Sequence, residues 1–263
     1  MAQLSTLRFR LELLKGLVWR EVLGRYRGSF FGIVWSLIAP LMMLGIYTFA
    51  FHDLFGARWP GVASRHGFAT MLFAGLVVHG LIAECLIRAP VAITANPSFV
   101  KKIVFPLTVL PLVAVGSAIF HAVLGLLMLG VVAAVGGQHI AWTAVFVPLV
   151  LFPYVILLCG LSWLLAAIGV YIRDIAQLSG MISTILLFLS PAFIPESAMP
   201  AKYAAILHLN PITLIIIETR AVLFDGRLPD FVALAIYLLV ACLFSFASLL
   251  VFRKLRRGFG DIL

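Results

Sequence analysis

The sequence predicts an all-α integral membrane protein. It is expected to have six transmembrane helices, an N-terminal amphipathic interface helix, and re-entrant outer-face helices between spans five and six. Three observations carry this. The chain of 263 residues is 63% hydrophobic and only 11% charged, where a soluble domain carries about 25% charged residues. Its mean hydropathy is +1.16. Apolar segments of about 20 residues, enough to cross the hydrocarbon layer, fill nearly everything after residue 30. Little room remains for a soluble domain, so 1–263 reads as a single transmembrane domain. Within it, 1–29 is the interface helix, 30–252 the six-span core and 253–263 a basic cytoplasmic tail. The net charge of +9 has its cause in topology, because cytoplasmic loops collect Lys and Arg. No nucleic-acid partner is expected.

Residues 1–29 place Leu7, Leu11, Leu14, Val18 and Val22 at helical spacing, with Arg8, Glu12, Lys15, Arg20 and Glu21 mainly off that stripe. A basic amphipathic helix with Trp19 and Tyr26 suits a membrane surface; docking on a soluble partner is the other reading. No cleaved leader is expected. Arg25-Tyr26-Arg27 leads directly into span one, Phe30 to Phe51, which is uncharged and contains Trp35 and Pro40. A polar loop, 52–67, precedes span two, Phe68 to about Ile87. The loop from Arg88 to Lys102 holds Pro90, Asn96-Pro97 and Lys101-Lys102. Span three covers Phe105 to Val135 and stops at Gly136-Gly137. Span four covers Trp142 to Val170, and Tyr171 to Asp174 turn the chain. Span five starts near Ile175 and ends at Pro191 or Pro195. Span six is Phe231 to Phe252, followed by Arg253, Lys254, Arg256 and Arg257.

Between the last two spans the chain is apolar yet interrupted at Pro191 and Pro195, at Pro200, and at Asn210-Pro211. Proline removes a backbone donor and disfavours helix in the residue before it. Lipid tolerates the freed backbone groups only where protein or a water-filled cavity covers them. No piece from Pro195 onward is long enough to cross. A segment over 195–220 that dips back into the membrane and lines a path is therefore expected; a kinked helix end with a surface loop is the alternative. Six spans put both termini on one side. Fourteen of the Lys/Arg fall on that side and five on the other, which places both termini in the cytoplasm and the broken stretch at the outer face.

The sequence contains no GxxxxGKS/T loop, HExxH, paired-cysteine metal motif or GxSxG, so no catalytic, metal or cofactor site is expected in this chain. Cys85, Cys159 and Cys242 read as small buried hydrophobes. Ionisable residues within spans are functional candidates by default. Glu84 stands four residues before Arg88, however, and an i,i+4 pair accounts for both. Arg173-Asp174 reads as a turn and helix start. Glu218 and Arg220 are expected near the outer interface. His79 and His121 suit packing or interhelical hydrogen bonds, with a proton relay as the other reading. No inverted repeat of the secondary-transporter kind is apparent. These features point to a translocation pathway powered by something other than this chain.

Four stretches in order add a family resemblance. The first is Arg25-Tyr26-Arg27 with Ser29-Phe30-Phe31-Gly32, Trp35, Pro40 and Tyr47-Thr48-Phe49. The second is Ala95-Asn96, Lys101-Lys102, Phe105-Pro106 and Leu110-Pro111. The third is Arg173-Asp174, and the fourth runs from Ser190-Pro191 through Asn210-Pro211. Together they span almost the whole chain. The set resembles the membrane subunit of type-two ABC exporters, specifically the permeases that export O-antigen and related lipid-linked polysaccharides.

The resemblance implies a homodimeric permease in a bacterial inner membrane, with two copies of a separate ATP-binding subunit docked below. ATP and Mg would belong to that subunit. The loop 88–102 would contain the coupling helix, with Asn96, Pro97, Lys101 and Lys102 as its contact positions. Lys101 and Lys102 equally suit anchoring of span three by snorkelling; Asn96-Pro97 fixes a tight shape. Arg25, Tyr26 and Arg27 would join the interface helix to span one. Pro191, Pro195, Asn210 and Pro211 would mark a periplasmic gate over 195–220, with Ile194 where the family often has an aromatic. The cargo would be a lipid-linked glycan. Flat aromatic faces with few rotatable bonds suit a sliding polymer, and Tyr47, Phe51, Trp163 and Phe193 are the candidate channel aromatics. The rival readings are another cargo for the same machine (capsule, teichoic acid or a small drug) and an ion-coupled secondary transporter, in which Glu84 and His121 would be essential. A membrane enzyme lacks its polar cluster.

Overall fold

A computed structural model of the chain describes residues 2–62, 64–100, 105–193, 195 and 204–263. Lys101, Lys102, Ile194 and Pro200 lie outside the described residues. The described chain is helical throughout, with one isolated bridge between Trp59 and Val62.

Helix α1 is Ala2–Tyr26. It ends because Gly28 takes φ +85°, the left-handed backbone that closes a helix most cheaply at glycine. After a short turn, α2 (Trp35–Thr48) carries Pro40 inside and runs on into a π-helical turn, Phe49–Leu54. Helix α3 (Arg65–Arg88) is capped by Ser64, whose hydroxyl accepts the Gly67 N–H at 3.0 Å. The next element, α4, is the single turn Pro97–Val100. Helix α5 (Leu110–Val135) has Pro111 in its first turn, where the lost donor costs nothing, and ends at Gly136-Gly137. Helix α6 is Val147–Tyr171, α7 Ile175–Phe188, α8 Ala204–Leu209, and α9 Thr213–Leu223. Helix α10 (Phe231–Leu255) is capped by Asp230, which accepts the N–H groups of Val232 and Ala233. A last turn, α11, is Phe259–Ile262.

Among the described residues five helical stretches are long and apolar enough to cross a membrane: Gly32–Leu54, Arg65–Val91, Leu107–Val135, Trp142–Tyr171 and Phe231–Gly258. The expected fifth span is shorter than the sequence implies. Helix α7 stops at Phe188 after 14 residues, about 21 Å at 1.5 Å per residue, against a hydrocarbon layer of about 30 Å. The Ser190-Pro191 turn ends it, its Ser190 hydroxyl donating to the Leu187 carbonyl.

Helix α3 is the centre of the bundle, with 78% of its most apolar window buried. It packs on α5 and α7; α10 packs on α6, and α1 on α5. Lipid is as apolar as the core, so these contacts depend on close approach rather than on a hydrophobic gradient. Small residues provide it. Gly125 of α5 faces Val77 of α3, Gly160 of α6 faces Ser245 of α10, and Gly116 of α5 faces Val18 of α1. The outward face of α10 shows Val232, Ile236, Leu239, Leu243 and Phe246 along its length, all more than half exposed. Such a stripe is stable only against lipid or another apolar surface. Cys242 lies on this outward side, contrary to the buried role expected of it, whereas Cys85 is buried.

The core-facing stripe of α1 is displaced from the expected one. Leu17 and Val22 are buried and Leu11 is half exposed. Leu17 joins Ile93, Leu107, Val170, Phe252 and Phe259 in a second apolar cluster. Packing against α5 and the loop after α3 decides the face, which leaves Phe9, Trp19 and Leu23 outward beside the basic residues.

Candidate functional site

A cavity of about 550 Å³ lies between α1, α2, α3 and α5. One end is polar, with Arg25, Tyr26, Glu84 and His121 on its wall; Tyr47 and Phe73 line the other. Phe73 and Glu84 are eleven residues apart on α3, so the cavity runs roughly 16 Å along that helix.

The polar end is a hub centred on Glu84. Its carboxylate accepts from the Ser117 hydroxyl at 2.7 Å and lies 2.9 Å from His121 Nδ1, both on α5. It lies 3.3 Å from Arg25 of α1 and 3.5 Å from Arg88 one turn along α3. Arg88 also pairs with Glu21 of α1. The Tyr26 hydroxyl is 2.8 Å from His121 Nε2. The expected Glu84–Arg88 pair is present, and His121 makes the expected interhelical bond. What spacing along one helix does not reveal is that α1, α3 and α5 all converge on this carboxylate. A buried charge is tolerated only when paired and hydrogen-bonded, and Glu84 has four partners. His79, by contrast, is bonded to the Ser183 carbonyl of α7 at 3.0 Å.

Arg25 and Tyr26 therefore stand in the hub, while Arg27 is exposed. Asn96 Nδ2 donates to the Ala92 carbonyl at 3.0 Å, and the Asn96 backbone carbonyl accepts the Phe99 N–H. Pro97 opens α4 on an exposed face. The loop is held from beneath: at Gly169 of α6 any side chain would run into the Pro90 backbone. Arg88 thus links the hub to the loop that follows α3.

Three of the four candidate aromatics come together around Tyr47, which lines the other end. Phe193 stacks on Phe51 at 4.4 Å and meets Tyr47 edge-on at 5.1 Å. Phe188 joins them at 5.3 Å. Trp163 is elsewhere. Its indole N–H donates to the Thr108 carbonyl at 2.9 Å and its ring packs on the second apolar cluster. An aromatic in a spanning helix carries no mark of which way it faces, and here packing has taken it.

Pro191 and Pro195 are buried. Asn210 binds the open end of α7, donating to the Leu186 and Leu189 carbonyls at 2.8 Å each while its Oδ1 accepts the Ile212 N–H. The Pro211 carbonyl accepts the Tyr237 hydroxyl at 2.8 Å. Glu218 and Arg220 are buried inside the protein. Glu218 accepts the Asp230 N–H and pairs with Arg227. Among the described residues no group of His, Cys, Asp and Glu could hold a metal ion.

Residues 12–224 match the ABC-2 type transporter family. The chain belongs to that family. Among its relatives is the O-antigen export system permease protein RfbA of Myxococcus xanthus, 28% identical over 95% of this chain and 94% of the relative. The protein of the same name from Klebsiella pneumoniae is 24% identical over 96% and 95%. The polysialic acid transport protein KpsM of Escherichia coli is 24% identical over 91% and 92%. In this ABC-2 chain the polar hub, the cavity and the aromatic cluster beside it all fall inside the matched residues.

Proposed function

We propose that this chain is the transmembrane permease subunit of an ATP-driven exporter that moves lipid-linked polysaccharide of the O-antigen type from cytoplasm to periplasm. The observation that carries the reading is end-to-end similarity to relatives named as O-antigen export permeases. It is not an enzyme; ATP and Mg are held by a separate subunit, two copies of which dock on a homodimer of this chain. The protein sits in the bacterial inner membrane with both termini cytoplasmic. Helix α7 together with the turn after it completes a sixth span, and 195–220 forms a re-entrant exit segment around Pro191, Pro195, Asn210 and Pro211. The loop 88–102, with Asn96, Pro97, Lys101 and Lys102, receives the motion of the ATP-binding subunit. Tyr47, Phe51 and Phe193 offer ring faces to the glycan.

Similarity to a polysialic acid transport protein favours a second cargo, an acidic capsule-type polysaccharide, in the same machine. The experiment that tests the assignment is co-purification with a candidate ATP-binding subunit, followed by ATP-driven uptake of glycan into inverted vesicles, whose lumen corresponds to the periplasm. ATP-dependent export of a lipid-linked O-antigen supports the reading. Transport that follows a proton gradient, with no ATP-binding chain attached, overturns it.

A further inference from the structure

Arg220 is a buried cation whose described partners include no carboxylate. Its Nε donates to the Met71 carbonyl of α3 at 2.9 Å. One terminal nitrogen donates to the Pro191 carbonyl and the other to the Ala192 carbonyl at 2.9 Å. The guanidinium also lies over the Trp59 ring, 4.3 Å from its centre. The planar fork of arginine is what allows one side chain to hold two separate backbone segments at once. Room for it comes from Gly75 of α3. A Cβ there would sit 2.6 Å from the Arg220 guanidinium and 3.0 Å from Ala192 Cα. Pro195 has no N–H to offer the Pro191 carbonyl four residues before it, so the cation supplies a donor that a helix would have supplied there.

The residue after this pinned pair is Phe193, which packs on Phe51 and on Tyr47, and of these three Tyr47 lines the cavity. We propose that Arg220 is a positioning residue for export: it pins the Pro191–Phe193 turn to α3 and so holds Phe193 behind Tyr47 as a plug that keeps the aromatic end of the cavity shut. This rests on the export reading for its purpose but not for its geometry. Losing a charge-assisted contact of this kind shifts an equilibrium by roughly ten- to a hundredfold, so the plugged state loses most of its advantage without Arg220.

The experiment measures passive potassium flux through vesicles containing the purified complex, without nucleotide and without cargo, so that it reads the plug whether or not glycan is the substrate. Arg220→Met is expected to raise the flux about tenfold or more, Arg220→Lys less, and Arg227→Met not at all. Export per ATP hydrolysed should fall in Arg220→Met. Gly75→Ala, which displaces the guanidinium while keeping it, should raise the flux in the same way. If Arg220→Met assembles with its partner and its flux and coupling equal those of the wild type, the proposal is overturned. If Arg220→Met does not assemble, Arg220→Lys decides: raised flux supports the pin and unchanged flux refutes it.

Discussion

Replacing Glu84 by Gln should loosen α1 from the bundle. Removing one partner of a buried ion pair costs about 3–5 kcal/mol when the other is left stranded. Two features reduce that here. Arg88 retains Glu21, and the Arg25 side chain is 34% exposed and able to hydrate. The glutamine carbonyl can still accept from Ser117. What disappears is the charge assistance on the His121 and Arg25 contacts, about 1–2 kcal/mol. That free energy sits between α1 and the rest of the fold, so local opening of α1 should become roughly 5–30 times more frequent. Hydrogen exchange of peptides covering 17–26, in detergent, reads it directly. Arg25→Met should produce most of the same change. The double variant should fall short of the sum by at least about 0.5 kcal/mol, because both remove one contact. Wild-type exchange in Glu84→Gln, or strict additivity with Arg25→Met, would refute the claim that this carboxylate fastens α1.

Three further outcomes are expected. Asn210→Ala strips two donors from the open end of α7 and should lower stability by about 1–3 kcal/mol, seen as a lower unfolding midpoint in mixed micelles. Gly160→Val drives a side chain into the Ser245 backbone and should cost about 1–3 kcal/mol through overpacking, measured in the same way, while Gly180→Val, where a Cβ meets nothing within 4 Å, should not. Phe193→Ala should impair glycan export at unchanged ATPase rate. Trp163→Phe, which loses the bond to Thr108 and part of the ring's packing on the second apolar cluster, should leave export intact; equal defects in the two would remove the distinction between them.

Much of this protein is legible in its sequence. Uncharged runs at 30–51, 105–135 and 231–252 dictate helices because an apolar solvent forbids unpaired backbone groups. Gly136-Gly137 and Pro191 mark where helices stop, and the ordered motifs point to the transporter family. Tertiary structure alone decided which faces meet. Lipid is as apolar as the interior, so residues on α5 or α10 carry no polarity signal that separates inward from outward. Trp163 and Phe193 look alike in sequence, yet one packs on the second apolar cluster and the other stacks on Phe51 and meets Tyr47 beside the cavity. The partners of Glu84 and Arg220 lie on other helices: Arg25 on α1, His121 on α5, Met71 on α3. Helical spacing reports only neighbours three or four residues away, so it reveals Arg88 but not the hub, and an isolated arginine but not the carbonyls that hold it.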